Sequence, residues 1–339
     1  MSSTESPDTA TTALPVPPAG PGRPGAAETV RTVTLPGLTL TVRAPEGQPE
    51  GRGAGGPGAA RDREPALYVH GLGGSSQNWS GLMPLLADRL DGEALDLPGF
   101  GHSPPPGDRN YSVSAQARAV IRYLDAAGRG PVHLIGNSMG GTTATRVAAA
   151  RPDLVRTLTL ISPALPELRP QRTAVPTALL AVPGIATLFA RLTRDWTAEH
   201  RTREVLSLCY GDPARVTPEG FDTAAAEYAR RLELPYFWEV MERSARALVN
   251  AYTLGGQHNL WRQAERVLAP TLLVYGGRDR LVSLRMARRA AAAFRGSRLL
   301  TLPEAGHVAM MEYPEAVARA VRELLDSVMT EVTADPGRS

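Results

Sequence analysis

The chain has 339 residues, 42% of them hydrophobic and 21% charged, enough length and apolar content for a large buried core. Its formal net charge of +3 comes from basic residues, mostly Arg, dispersed among acids with no long like-charge block, which argues against nucleic acid as a partner. The single cysteine, Cys209, cannot form an intramolecular disulfide, so packing must hold the fold, and no basic cluster near it marks a reactive thiolate.

In chain order, residues 1–28 are rich in Pro, Ala, Gly, Ser and Thr and lack periodic apolar positions, so a disordered tail is expected. They contain neither a positively charged leader nor an apolar core of a signal peptide. A cytoplasmic location follows as the expectation. Two alternating runs, VRTVTL (30–35) and LTLTVR (38–43), flank Pro36-Gly37 and predict a hairpin. Pro45 to Pro65 reads as a floppy loop. Six further runs, at 66–70, 93–97, 131–135, 156–161, 271–275 and 298–302, are mostly continuous and apolar, as strands buried on both faces are.

Helical patterns separate these runs. Ser114 is expected to cap a helix carrying Ala117, Val120, Ile121 and Leu124 on one face, with Gly128 past its end. Pro314 opens another, with Val317, Ala320, Val321, Leu324, Leu325 and Val328 as its stripe. The alternation predicts an α/β fold, a doubly wound, mostly parallel sheet of eight strands. It fails once, over 164–266, where helical periodicity without a strong strand predicts a cap inserted over the sheet. The core then comprises 29–163 and 267–329, and 330–339 reads as a flexible C-terminal tail. The longest apolar run, Ala174 to Ala190, is interrupted by Pro176, Pro183 and Gly184, so no stable membrane insertion is expected.

Gly136-Asn137-Ser138-Met139-Gly140 fits G-x-S-x-G, with PVHLI before it and a helix-compatible Thr142 to Ala150 after it. A serine hydroxyl needs a base and the base needs an orienting acid. His307 directly follows the last strand and Asp279 directly follows the strand before it, in the chain order Ser, Asp, His. Glu167, after the sixth strand, is the alternative acid. In His70-Gly-Leu-Gly-Gly74 the backbone N–H of Leu72 can pair with that of Met139 to hold a developing oxyanion. These segments, with Asp96-Leu-Pro-Gly-Phe-Gly-His-Ser103 and Gly276-Gly-Arg-Asp279, resemble the α/β-hydrolase-fold family of capped serine esterases, lipases and carbon–carbon hydrolases over roughly 29–329. The resemblance implies Ser138 as nucleophile, His307 as general base and acid, Asp279 as its orienter, and the Leu72 and Met139 amides as oxyanion donors.

The other histidines read as structural. His133 sits inside an apolar strand, His70 and His102 shape loops, and His200 and His258 lie in or near the cap. No two histidines have metal-ligand spacing and no phosphate-cradling glycine loop is present, so neither metal nor cofactor is expected. Val175, Leu179, Leu180, Val182, Ile185, Leu188, Phe189 and Leu192 either line a pocket for an acyl or aromatic group or pack the cap onto the sheet. The expected partner is a small apolar ester, cleaved through an acyl-serine intermediate. Two other readings stay open. The elbow is similar to that of meta-cleavage product hydrolases, which cleave carbon–carbon bonds, although His70-Gly-Leu-Gly-Gly lacks their Gly-Pro-Gly type of loop. A catalytically silent binder or scaffold is the other. Oligomeric state is not legible.

Overall fold

The computed structural model describes residues 11–13, 28–46, 63–167 and 169–334. Each of the eight expected strands forms: β2 (Glu28–Leu35), β3 (Leu38–Pro45), β4 (Glu64–Val69), β5 (Leu90–Asp96), β6 (Val132–Asn137), β7 (Val155–Ile161), β8 (Thr271–Gly276) and β9 (Arg298–Leu302). A three-residue β1 (Thr11–Ala13) adds a ninth at the edge, parallel to β9. At those three residues it corrects the expectation that 1–28 carries no structure, as β2 does at Glu28. The remainder of the expected tail up to residue 27, residues 47–62 of the segment expected as a loop, and residues 335–339 lie outside the described residues.

The strand order is β1-β9-β8-β7-β6-β4-β5-β3-β2. Only the β2–β3 and β3–β5 pairs are antiparallel; every other pair is parallel. Successive strand side chains point to opposite faces, and the core divides accordingly. Leu67, Val69, Leu134, Leu158 and Leu273 pack on one face against α2 (Val113–Ala127) and α3 (Met139–Ala150). Ala66, Tyr68, Ile135, Leu272 and Val274 belong to the cluster of the other face. There they meet α1 (Met83–Leu86) and, near the C-terminus, α11 (Ala309–Glu312) and α12 (Pro314–Ala334); α10 (Met286–Ala293) joins the first face.

Two helix boundaries differ from expectation. Ser112, not Ser114, caps α2: its backbone is extended and its hydroxyl accepts from Ala115 N–H at 3.1 Å. Ser114 lies within the first turn and pairs instead with Arg146. Gly128 ends the helix at φ 59°, as the sequence suggests. α12 runs to Ala334, beyond the expected core boundary at 329.

Between β7 and β8 the chain is helical: α4 (Val175–Leu179), α5 (Ile185–Leu192), α6 (Ala198–Cys209), α7 (Pro218–Leu232), α8 (Phe237–Thr253) and α9 (Leu260–Ala264). This segment reaches the loops at the carboxyl edge of the sheet. Arg231 on α7 donates to the Gly73 carbonyl and to Ser75 Oγ at 3.0 Å, and Arg230 donates to the Gly101 carbonyl at 2.8 Å. Glu227 holds both guanidinium groups, each at 2.7 Å. Among the described residues, no helix is long and apolar enough to cross a membrane.

Candidate active site

β4 has β5 on one side and β6 on the other, so the chain leaves these strands in opposite directions and opens a crevice at their carboxyl ends. The loop after β4 and the turn after β6 meet there. Ser138, between β6 and α3, has φ 54° and ψ −119°, a conformation that costs a non-glycine residue about 1–3 kcal/mol. Its backbone is fixed on both sides: its N–H donates to the Ile161 carbonyl at 3.0 Å, and its carbonyl accepts from Thr142 and Ala164. The flanking glycine has a steric reason. A Cβ at Gly140 would lie 2.2 Å from the Val69 carbonyl oxygen and 2.4 Å from that of His70.

The loops after β8 and β9 are also joined backbone to backbone. Gly277 N–H donates to the Leu302 carbonyl and Arg278 N–H to that of Ala305, both at 2.9 Å. A Cβ at Gly276 would meet the Gly306 carbonyl oxygen at 2.2 Å. This seam brings Asp279 to His307: Oδ2 accepts from the ring's Nδ1–H at 2.9 Å. The other carboxylate oxygen, Oδ1, accepts from Leu281 N–H at 2.8 Å and Val282 N–H at 2.9 Å. Burial opposes ionisation of Asp279, yet the facing imidazole and these amides hold its carboxyl below the ordinary range. Glu167, the alternative acid, lies 3.7 Å from Arg285 and beside Ser283, and the His307 ring bonds Asp279 instead.

Ser138 and His307 are neighbours through Asn137, whose side-chain amide donates to the Ile161 and His307 carbonyls, both at 3.0 Å. The serine hydroxyl and the ring are not hydrogen-bonded to each other, an arrangement common before substrate binds. On the opposite side a Cβ added at Gly71 would stand 3.0 Å from that of Ser138, which places the Leu72 loop against the serine. Met139 is the first residue of α3, where no helical carbonyl is available to its N–H. Among the described residues neither the Leu72 nor the Met139 amide donates a hydrogen bond.

His70 holds this loop, as its sequence position suggests. Leu97 N–H donates to Nε2 at 3.0 Å, so Nδ1 carries the proton and donates to the Gly71 carbonyl at 2.8 Å. Burial is the main cause that brings the imidazole down to about 4, with Asp96 opposing and Arg231 assisting. The unfolded chain therefore takes up a proton near pH 6.5 that the folded chain resists until about pH 4, and stability declines as pH falls through that window, by up to about 3 kcal/mol. Denaturation at pH 8 and at pH 4.5 should register this loss, and His70→Asn should flatten the dependence. An equally steep dependence in the variant would assign it elsewhere.

Asp96 accepts from Ser76 N–H and His102 N–H, and His133 bonds Thr157 and Glu64, a structural role as expected for that histidine. The Cys209 thiol is pushed up to about 12 by burial and by Asp279 and Glu312. Among the described residues no cluster of three or more His, Cys, Asp or Glu could hold a metal ion.

Glu312 escaped the sequence reading. Its Oε1 accepts from Gly211 and Asp212 N–H at 2.9 and 3.1 Å, and Oε2 from Gly306 N–H at 2.5 Å. One carboxylate thus binds the end of α6 to the histidine loop, where His307 N–H also donates to the Cys209 carbonyl at 2.7 Å. Glu312→Gln turns an amide N–H₂ on one of these donors and is expected to destabilise the protein by about 1–3 kcal/mol. The denaturant midpoint reads this directly. An unchanged midpoint would show that the clamp carries no stability.

A family model described as the alpha/beta hydrolase fold matches residues 65–314. Among curated proteins, the chain is 27% identical to a pimeloyl-[acyl-carrier protein] methyl ester esterase of Neisseria meningitidis, over 78% of this chain and 77% of that one. It is 24% identical to a monoacylglycerol lipase of Xenopus laevis, over 80% and 78% respectively. Among solved structures, 2-hydroxy-6-oxo-6-phenylhexa-2,4-dienoate hydrolase from a Rhodococcus species superposes with a TM-score of 0.68 at 19% identity, covering 88% of this chain and 100% of that one.

Proposed function

The chain belongs to the alpha/beta hydrolase family and is a hydrolase, and from that premise we propose that it cleaves a carboxylic ester with an apolar acyl group through an acyl-Ser138 intermediate. The observation that carries this reading is the buried Asp279–His307 bond beside a strained serine. His307 Nε2 takes the hydroxyl proton as Ser138 Oγ attacks the acyl carbonyl. The Leu72 and Met139 amides receive the oxyanion. Collapse of the tetrahedral intermediate expels the alcohol, which takes the proton from His307, and leaves the acyl group on Ser138. A water, deprotonated by the same imidazole, then attacks the acyl-enzyme, and collapse releases the carboxylic acid and restores the serine. Asp279 holds the ring with Nδ1–H towards itself, leaving Nε2 free to accept.

The helical segment between β7 and β8 acts in this scheme as a cap. Support comes from Met241 on α8, whose methyl carbon would stand 3.2 Å from a Cβ at Gly73, and from the Arg231 bonds to the same loop. Phe100, Leu234, Phe237, Val240 and Met241 line the space beside Gly73 and favour an apolar acyl group over a charged one. A panel of p-nitrophenyl esters from acetyl to palmitoyl, run beside a vinylogous dienone diketone, tests the proposal. Ester turnover that vanishes in Ser138→Ala is expected. Faster cleavage of the diketone than of any ester would replace the ester reading with carbon–carbon hydrolysis, and no turnover of either would favour a silent binder.

A further inference from the structure

Six of the eight large apolar residues expected on α4, α5 and their connection are exposed, while Leu180 and Ile185 are half-buried. Leu192 is 73% exposed, Leu188 50%, Val175 and Leu179 47%, Val182 46% and Phe189 39%. For these six this exposure corrects the expectation that they line an acyl pocket or pack onto the sheet. Both helices pack on α8 instead. Their connection is pinned there by Gly184 N–H donating to Glu242 and by Arg246 donating to the Ala181 carbonyl, each at 2.9 Å. The face turned away from α8 therefore presents leucine and valine to water, while Phe189 packs edge-on against Trp238 of α8 and against Trp196.

The segment that carries this face is itself basic. Between Glu167 and Asp195 the sequence has arginines at 169, 172, 191 and 194 and no acid. Arg194 faces Asp195 at 3.6 Å, while Arg169, Arg172 and Arg191 are exposed and have no acidic partner among the described residues. Exposed apolar side chains on short helices, surrounded by arginines, suit the boundary of an anionic bilayer. The apolar groups enter the acyl region, and the guanidinium groups stay at the headgroups on their flexible stems. A protein partner would meet the same apolar face, but the absence of acids across 27 residues is the complement of a surface that is anionic throughout.

We propose that the outer face of α4 and α5, with Arg169, Arg172 and Arg191, is a reversible docking site for an anionic lipid surface. Docking there places the active-site loops next to the lipid. Gln171 donates to the Asp279 carbonyl at 2.9 Å and Thr173 donates to that of Arg280, so the segment entering α4 is tied to the acid loop. Binding at this face does not depend on the chemistry at Ser138.

Flotation of the full-length Ser138→Ala protein with phosphatidylcholine vesicles containing about 30% phosphatidylglycerol tests the proposal without turnover. Binding to these vesicles is expected to exceed binding to pure phosphatidylcholine more than about tenfold at low salt, and to fall as salt rises. Leu179→Ser/Leu188→Ser/Leu192→Ser and Arg169→Gln/Arg172→Gln/Arg191→Gln should each lower it by about tenfold or more. The arginine variant, built only on exposed side chains, keeps the test decisive if the first folds poorly. No flotation, or flotation unchanged in both variants, would overturn the proposal. So would a dimer that the triple-serine variant dissociates, since the face would then join two copies of the chain.

Discussion

Asp279→Asn is expected to lower kcat for an ester substrate by about 10³- to 10⁴-fold while leaving the fold intact. The reason lies in which end of the new amide faces the histidine. Leu281 and Val282 both donate to Oδ1, so the oxygen of an asparagine must stay on their side. Its N–H₂ then points at His307 Nδ1, which can only accept. The ring proton moves to Nε2, the nitrogen that must take the proton of Ser138, and the base is lost although every distance is preserved. Steady-state kinetics beside a thermal melt checks this. A variant with near-parental kcat would mean that another group orients the ring, and the position of Glu167 beside Ser283 makes it the first residue to replace next.

His307→Ala is expected to lower kcat by about 10³-fold or more, with KM changed much less. The ring is buried, and its backbone is held by Cys209 and Asn137, so the loop keeps its course without the imidazole. The oxyanion donors remain and sustain the residual rate. Combining the two replacements should cost little more than the worse of them, because Asp279 acts only through the ring. Full additivity would assign Asp279 an independent role and contradict this account.

The parallel strands were legible because burial on both faces leaves them as continuous apolar runs, and the β2–β3 hairpin because its two alternating runs flank Pro36-Gly37. β1 was not, since three residues of threonine and alanine carry no pattern. At α2, Ser112 and Ser114 both resemble a cap, and only the backbone conformation at 112 separates them. Ser138, Asp279 and His307 stood out because their residue types and positions after successive strands follow the demands of the chemistry. Glu312, Arg231 and Asn137 did not. They act on backbone groups that every residue possesses, and their partners lie far away in the chain, as Gly211 does from Glu312. The apolar period of α4 and α5 was equally plain, but periodicity reports that a helix has two faces and not which one meets the protein.

The most direct test of the central claim is mass spectrometry of the protein after reaction with a fluorophosphonate, which a serine attacks as it would an ester. A single adduct on the peptide containing Ser138, formed by the parent and lost in Ser138→Ala, is the expected result. An adduct on another residue, or none under conditions where the parent hydrolyses an ester, would contradict the assignment of Ser138 as nucleophile.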